Sequence, residues 1–148
     1  MIGINCPESD KRTTPTATNR QEIGIYVCFS EGIYLYNANE HSLVLTAKGN
    51  FYPLISFEAR FCPSGYYYFA LGCRYFQFWR NNNEQKMLIG ALDAGIVSQN
   101  ISIFCTGTNM ETVPRAWIGS ETLKKRIKFE KYAIFDVESF GGVRNSKN

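Results

Sequence analysis

The stretch from Glu84 to Thr108, EQKMLIGALDAGIVSQNISIFCTGT, constrains this chain more than any other, because no other run is long and apolar enough to form a domain's central helix. It contains no proline, opens on good helix formers (Glu84, Gln85, Lys86, Met87, Leu88) and closes on the turn-like Thr106-Gly107-Thr108. Those signals predict a helix of about six turns, with Gly90 and Gly95 as its weak points. Met87, Leu88, Ile89, Leu92, Ile96, Val97, Ile101, Ile103 and Phe104 lie almost all round it, the pattern of a helix buried on more than one side. Ala91, Gly95, Ser98, Ser102 and Cys105 recur at offsets of four and three, forming one stripe where another backbone could approach. A second helix inside the same fold and a second subunit are both compatible with that stripe.

With 148 residues the chain fits one domain, read over 1–148, with an extended arm at 1–20 and a flexible tail at 139–148. A hydrophobic share of 45% places it among globular chains, and a net charge of +3, mostly scattered, gives no reason to expect a nucleic-acid surface. Five cysteines (Cys6, Cys28, Cys62, Cys73, Cys105) form an odd set without CxxC spacing, which suits a reducing compartment. The single histidine, His41, leaves no ligand cluster for zinc. The opening MIGINCPESD lacks the features of a signal peptide, and Asp93, Gln99 and Asn100 argue against a membrane span, so a cytoplasmic, membrane-free protein is expected.

In chain order, the polar arm leads into EIGIYVCF (22–29), whose alternation reads as a strand. Ser30-Glu31-Gly32 then turns into IYLYN (33–37), and a second turn at Asn37–His41 leads to SLVLTA (42–47), completing a three-strand meander. A short helix is expected near Asn50, ahead of Pro53. GYYYFALGC (65–73) reads as a central strand, and the aromatics Tyr75, Phe76, Phe78 and Trp79 after it either stack on a flat ligand or pack under a loop. Beyond the long helix, a strand at 111–115, a short helix from Ser120 to about Lys128 and a last strand at 132–138 complete an α+β pattern. GxSxG, P-loop, GxGxxG and HExxH signatures do not occur, so acid–base work would fall to carboxylates or to a cofactor.

Taken in order, Gly3-Ile4-Asn5 with PESDKRTTPTATNRQEI, the EGIYLYNANEHSLV hairpin, the ALDAGIVSQNI helix and the VPRAWIGSETL turn resemble the nitroreductase family, in particular its azoline-oxidase-like branch. The resemblance runs from Gly3 to about Phe135 and implies an α+β fold: a mixed, mainly antiparallel sheet flanked by helices around a long central helix. It further implies a homodimer paired through the 84–108 helix, FMN at the interface, and ping-pong hydride transfer from NAD(P)H to a small-molecule acceptor such as a nitro compound or quinone.

The family's PSxxNxQ loop corresponds to Pro15-Thr16-Ala17-Thr18-Asn19-Arg20-Gln21. The resemblance therefore assigns Thr16 and Asn19 to the polar edge of the flavin ring, with Gln21 closing the motif. The family's glycine loop after the long helix corresponds to Pro114-Arg115-Ala116-Trp117, which assigns backbone contacts to Arg115 and Ala116, with Ala116 standing where glycine is usual. Family members begin with a helix and a basic segment that grips the FMN phosphate, and the matching region here starts after it. The nearest substitutes are Lys11, Arg12 and Arg20, with Arg144 more remote; Arg12 is the assigned residue. The usual Gly-Tyr-Pro ending is replaced by Ser139-Phe140-Gly141-Gly142. These departures leave a second possibility open, a truncated, catalytically inactive relative acting as a binding or scaffolding module.

Overall fold

Alternating apolar residues and two tight turns build the first layer of the computed structural model, which describes residues 5–6, 11–55, 67–74, 83–115, 125 and 132–143. In the arm, β1 (Asn5–Cys6) pairs antiparallel with β2 (Lys11–Arg12). The meander follows as β3 (Ile23–Phe29), β4 (Gly32–Asn37) and β5 (Ser42–Lys48). Gly32 is required at the first turn, because a Cβ there would stand 2.7 Å from the Ala47 carbonyl oxygen. At the second turn the Asn37 side chain accepts the Asn39 N–H at 3.1 Å, and His41 takes a left-handed φ of 49°. Asn50 then accepts the Tyr52 N–H at 3.0 Å and opens α1 (Tyr52–Ile55).

Strand β6 (Tyr67–Arg74), helix α2 (Asn83–Gly107), strand β7 (Met110–Arg115) and strand β8 (Tyr132–Val143) complete a six-stranded sheet in the order β5-β4-β3-β6-β8-β7. Every strand pairing among the described residues is antiparallel. The apolar run at 65–73 is indeed central, paired with β3 on one side and β8 on the other. Pro114 is tolerated in β7 because that strand is an edge. Strand β8 continues to Val143, five residues into the segment read as tail, because Ser139 and Phe140 pair with both β6 and β7 and Gly141 and Val143 with β7. The short helix expected at 120–128 lies outside the described residues apart from Lys125, as do Tyr75, Phe76, Phe78 and Trp79.

Helix α2 spans 25 residues, about 38 Å, and ends with Thr108 bonding back to the Phe104 carbonyl and Asn109 at φ 59°, a left-handed cap. It lies against β7, β8, β6 and β3. Ala94, Val97, Ile101 and Cys105 pack onto Ile23, Ile25 and Leu71 of the sheet and form the core.

Burial of α2 differs from the all-round pattern expected of its sequence. Leu88, Leu92, Ile96 and Ile103 are 61%, 59%, 39% and 61% exposed, because the sheet covers only one face of the helix. The small-residue stripe is divided between the two faces. Ser98 and Cys105 are buried, while Ala91 and Gly95 are exposed and a Cβ on Gly95 would meet nothing within 4 Å. By length and hydropathy alone α2 could cross a membrane, yet it buries Asp93, and that aspartate serves the loop described next.

Candidate functional site

After β2, residues 13–22 form a loop pinned to α2 at two points before the chain enters β3. Thr14 is buried and accepts a hydrogen bond from Asn100 Nδ2 at 3.0 Å. Ala17 donates its backbone N–H to Asp93 Oδ2 at 2.9 Å. Asp93 and Asn100 are seven residues apart, two turns, so they share one face of the helix and hold the loop along it.

Between the pins the chain makes a single 3-10 turn, Ala17–Asn19, preceded by extended Thr16 (φ −134°, ψ 158°). The Thr16 hydroxyl accepts the Gln21 backbone N–H at 2.9 Å, and the Gln21 side-chain amide donates to Asn19 Oδ1 at 3.4 Å. Asn19 and Gln21 both sit at left-handed φ, 55° and 54°. Such a conformation is expensive for a non-glycine residue, particularly glutamine, and two within three residues need the surrounding bonds to hold them.

The structure thus brings Thr16, Asn19 and Gln21 into one bonded turn, with Arg12 nearby donating to the Ile23 carbonyl at 3.5 Å. Arg12 and Gln21 also line a cavity of about 250 Å³ that Thr16 and Asn19 do not line. Arg115 is not part of this group. It ends β7 level with Tyr26 but three strands away, about 14 Å by strand spacing, and Ala116 and Arg144 lie outside the described residues.

Residue-type reasoning overlooked Glu22 and Asp93. Burial pushes the Glu22 carboxyl up to about 7, helped by a hydrogen bond and charge repulsion from Asp93 and opposed by Arg20. Glu22 Oε2 is buried without a hydrogen bond. With its carboxyl near 7, Glu22 is about half protonated at neutral pH. The visible signal in the sequence was Asp93 itself, an acid in an apolar helix; its partner could not be read without the fold.

No family model and no curated protein matches the chain. Solved structures do. A protein assigned as a nitroreductase from Ralstonia eutropha JMP134 superposes with a TM-score of 0.84 at 18% identity, covering 97% of this chain and 69% of its own. The Escherichia coli microcin synthetase McbBCD complex, bound to truncated pro-MccB17, contributes a match at TM-score 0.80 and 15% identity over 97% of this chain and 60% of that one. A further nitroreductase assignment, from Anabaena variabilis ATCC 29413, matches at 0.77 and 15% over 94% and 32%. At these identities the likeness shows the fold, which is nitroreductase-like, and the chain spans only part of each neighbour's length.

Proposed function

We propose that this chain, with its nitroreductase-like fold, binds FMN and serves NAD(P)H-dependent reduction of a small acceptor such as a nitro compound or quinone. The observation that carries the reading is the strained turn at 16–21. Thr16 accepts the Gln21 N–H and retains its own hydroxyl proton to donate, and Asn19, exposed and with its Oδ1 accepting from the Gln21 amide, stands in the same turn. That set suits the polar edge of a flavin ring. Bound FMN would supply the hydride chemistry that no side chain here can provide.

In this reading the protein's part is positioning. Asp93 and Asn100 fix the turn to α2, and the raised Glu22 carboxyl, partly protonated at neutral pH, carries less negative charge beside it, which favours an anionic cofactor. Arg12, with Lys11 and Arg20 as the nearest further cations, neutralises the phosphate, and the Arg115 and Ala116 backbone remains the assigned contribution to the ring's surroundings. A second copy of the chain covers Leu88, Leu92, Ile96 and Ile103, with Ala91 and Gly95 allowing close backbone approach. The reading includes a cytoplasmic location.

Purified protein tests this directly. Protein loaded with FMN should bleach on addition of NADH or NADPH and recover its colour with a quinone; FMN-loaded protein that is never bleached by either nicotinamide refutes the oxidoreductase reading. One alternative is a non-catalytic binding or scaffolding module. That module would keep its fold and dimer contact while failing to retain flavin.

A further inference from the structure

We propose that β5, an edge of the sheet, pairs antiparallel with β5 of a second copy of this chain, about a two-fold axis through Val44. The two edges of the six-stranded sheet are unlike. Strand β7 carries Pro114, which has no N–H to donate, and the exposed charge of Glu111, two features that keep an edge from pairing. Strand β5 has neither a proline nor a charge between Ser42 and Ala47, and its Leu43, Val44 and Leu45 are 44%, 49% and 50% exposed. Three large apolar residues in a row place apolar surface on both faces of that edge, beside the outward N–H and carbonyl groups of an outermost strand. Another strand would cover both.

Symmetry and charge select a second copy as that strand. Leu43 and Leu45 stand opposite Tyr36 and Tyr34, on the face that carries α2, while Val44 stands opposite Leu35 on the other face. A two-fold axis normal to the sheet keeps each face continuous across the junction, so only residues of the same face can meet. Centred on Val44, it sets Val44 against its own mate and Leu43 against Leu45 of the second copy, twice over, so all three apolar residues are covered. The exposed Glu40 of each copy then lies at the same end as the exposed Lys48 of the other, whereas parallel pairing would set like charges together.

Thr46 is an extra residue opposite the step from Ile33 to Tyr34, a bulge that confines regular pairing to a short stretch. A contact of that length falls below the roughly 1,200 Å² of a stable interface. It is therefore transient: dilute protein in sedimentation leaves it dissociated, and a covalent trap reads it. It uses neither the exposed α2 face nor the 16–21 turn, so it stands or falls separately from the α2 contact and the flavin reading.

Disulfide trapping tests both the contact and its register. The whole chain carrying Val44→Cys, Leu43→Cys or Leu45→Cys is oxidised at high concentration with copper–phenanthroline, with wild type as the control for native cysteines, and covalent dimer is followed on non-reducing gels. Opposed residues of an antiparallel pair have Cα atoms about 4.5 to 5.5 Å apart, inside the limit of about 7 Å for a disulfide. Leu43 and its own mate would stand about 8 Å apart. Val44→Cys should therefore cross-link about tenfold or more faster than Leu43→Cys or Leu45→Cys alone, and a mixture of those two should approach it. Adding Leu45→Lys to Val44→Cys should reduce the dimer to the wild-type level, while adding Leu92→Glu should leave it unchanged. Equal rates at the three positions, a Val44→Cys rate no higher than wild type, or a cross-link that survives Leu45→Lys or is lost with Leu92→Glu overturns the proposal. If the variant with Leu45→Lys fails to fold by circular dichroism, the ranking of the three single-cysteine variants decides.

Discussion

Replacing Glu22 by glutamine should make the protein more stable above neutral pH and should remove one component of its pH dependence. The folded carboxyl sits at about 7 against an ordinary 4.5, chiefly through burial and then through Asp93. A raised carboxyl holds its proton more tightly in the folded state, so its stabilising effect is complete below about 4.5 and is lost as pH rises through 7. At 1.36 kcal/mol per pH unit the span between those values is about 3.4 kcal/mol as an upper bound, and partial solvent exposure reduces it to roughly 1 to 2 kcal/mol. Urea unfolding of both proteins at pH 5, 6, 7 and 8 isolates this contribution, since other groups cancel in the difference. The variant should gain on wild type by that amount between pH 5 and pH 8, a rise of roughly 2 to 8 °C in relative Tm. A difference between the two proteins that stays constant across the range would refute the buried-pair reasoning.

Three further outcomes follow from packing and pinning. Ile101→Ala removes a fully buried side chain between α2 and the sheet and should cost about 2 to 5 kcal/mol in chemical unfolding. Asn100→Ala leaves the buried Thr14 hydroxyl without its donor; a loss of roughly 1 to 2 kcal/mol is expected, with faster proteolysis within residues 11–22 as the local signature. Leu92→Glu places a charge on the exposed apolar face of α2, and sedimentation should show a dimeric wild type and a monomeric variant of unchanged helix content. A wild type that sediments as a monomer counts against the second-copy interface.

The meander, the central strand and the long helix were legible because each carries its own local signal. Glu31-Gly32 and Asn37–His41 punctuate alternating apolar runs, and the span without proline from Glu84 fixes α2 to within about a residue. The end of β8 was not legible, because Gly141-Gly142 reads as tail until β7 and β6 are seen to pair with that strand. The exposed face of α2 was also hidden, since an apolar helix in sequence does not say which neighbour covers which side. For the site, the Thr16–Gln21 turn came from a motif. The pins that hold it, Ala17 to Asp93 across 76 residues and Thr14 to Asn100 across 86, exist only once the helix has packed against the arm. The Glu22–Asp93 pair belongs to the same class of contact.

The most direct test of the flavin reading is FMN affinity measured by fluorescence quenching on the wild type and on Asn19→Ala. The account predicts saturable binding by wild type and a loss of about tenfold or more in the variant, whose fold and Tm should change little because Asn19 is exposed. Wild-type protein that does not quench FMN, or an Asn19→Ala variant that binds it as tightly as wild type, would contradict the placement of the cofactor at this turn.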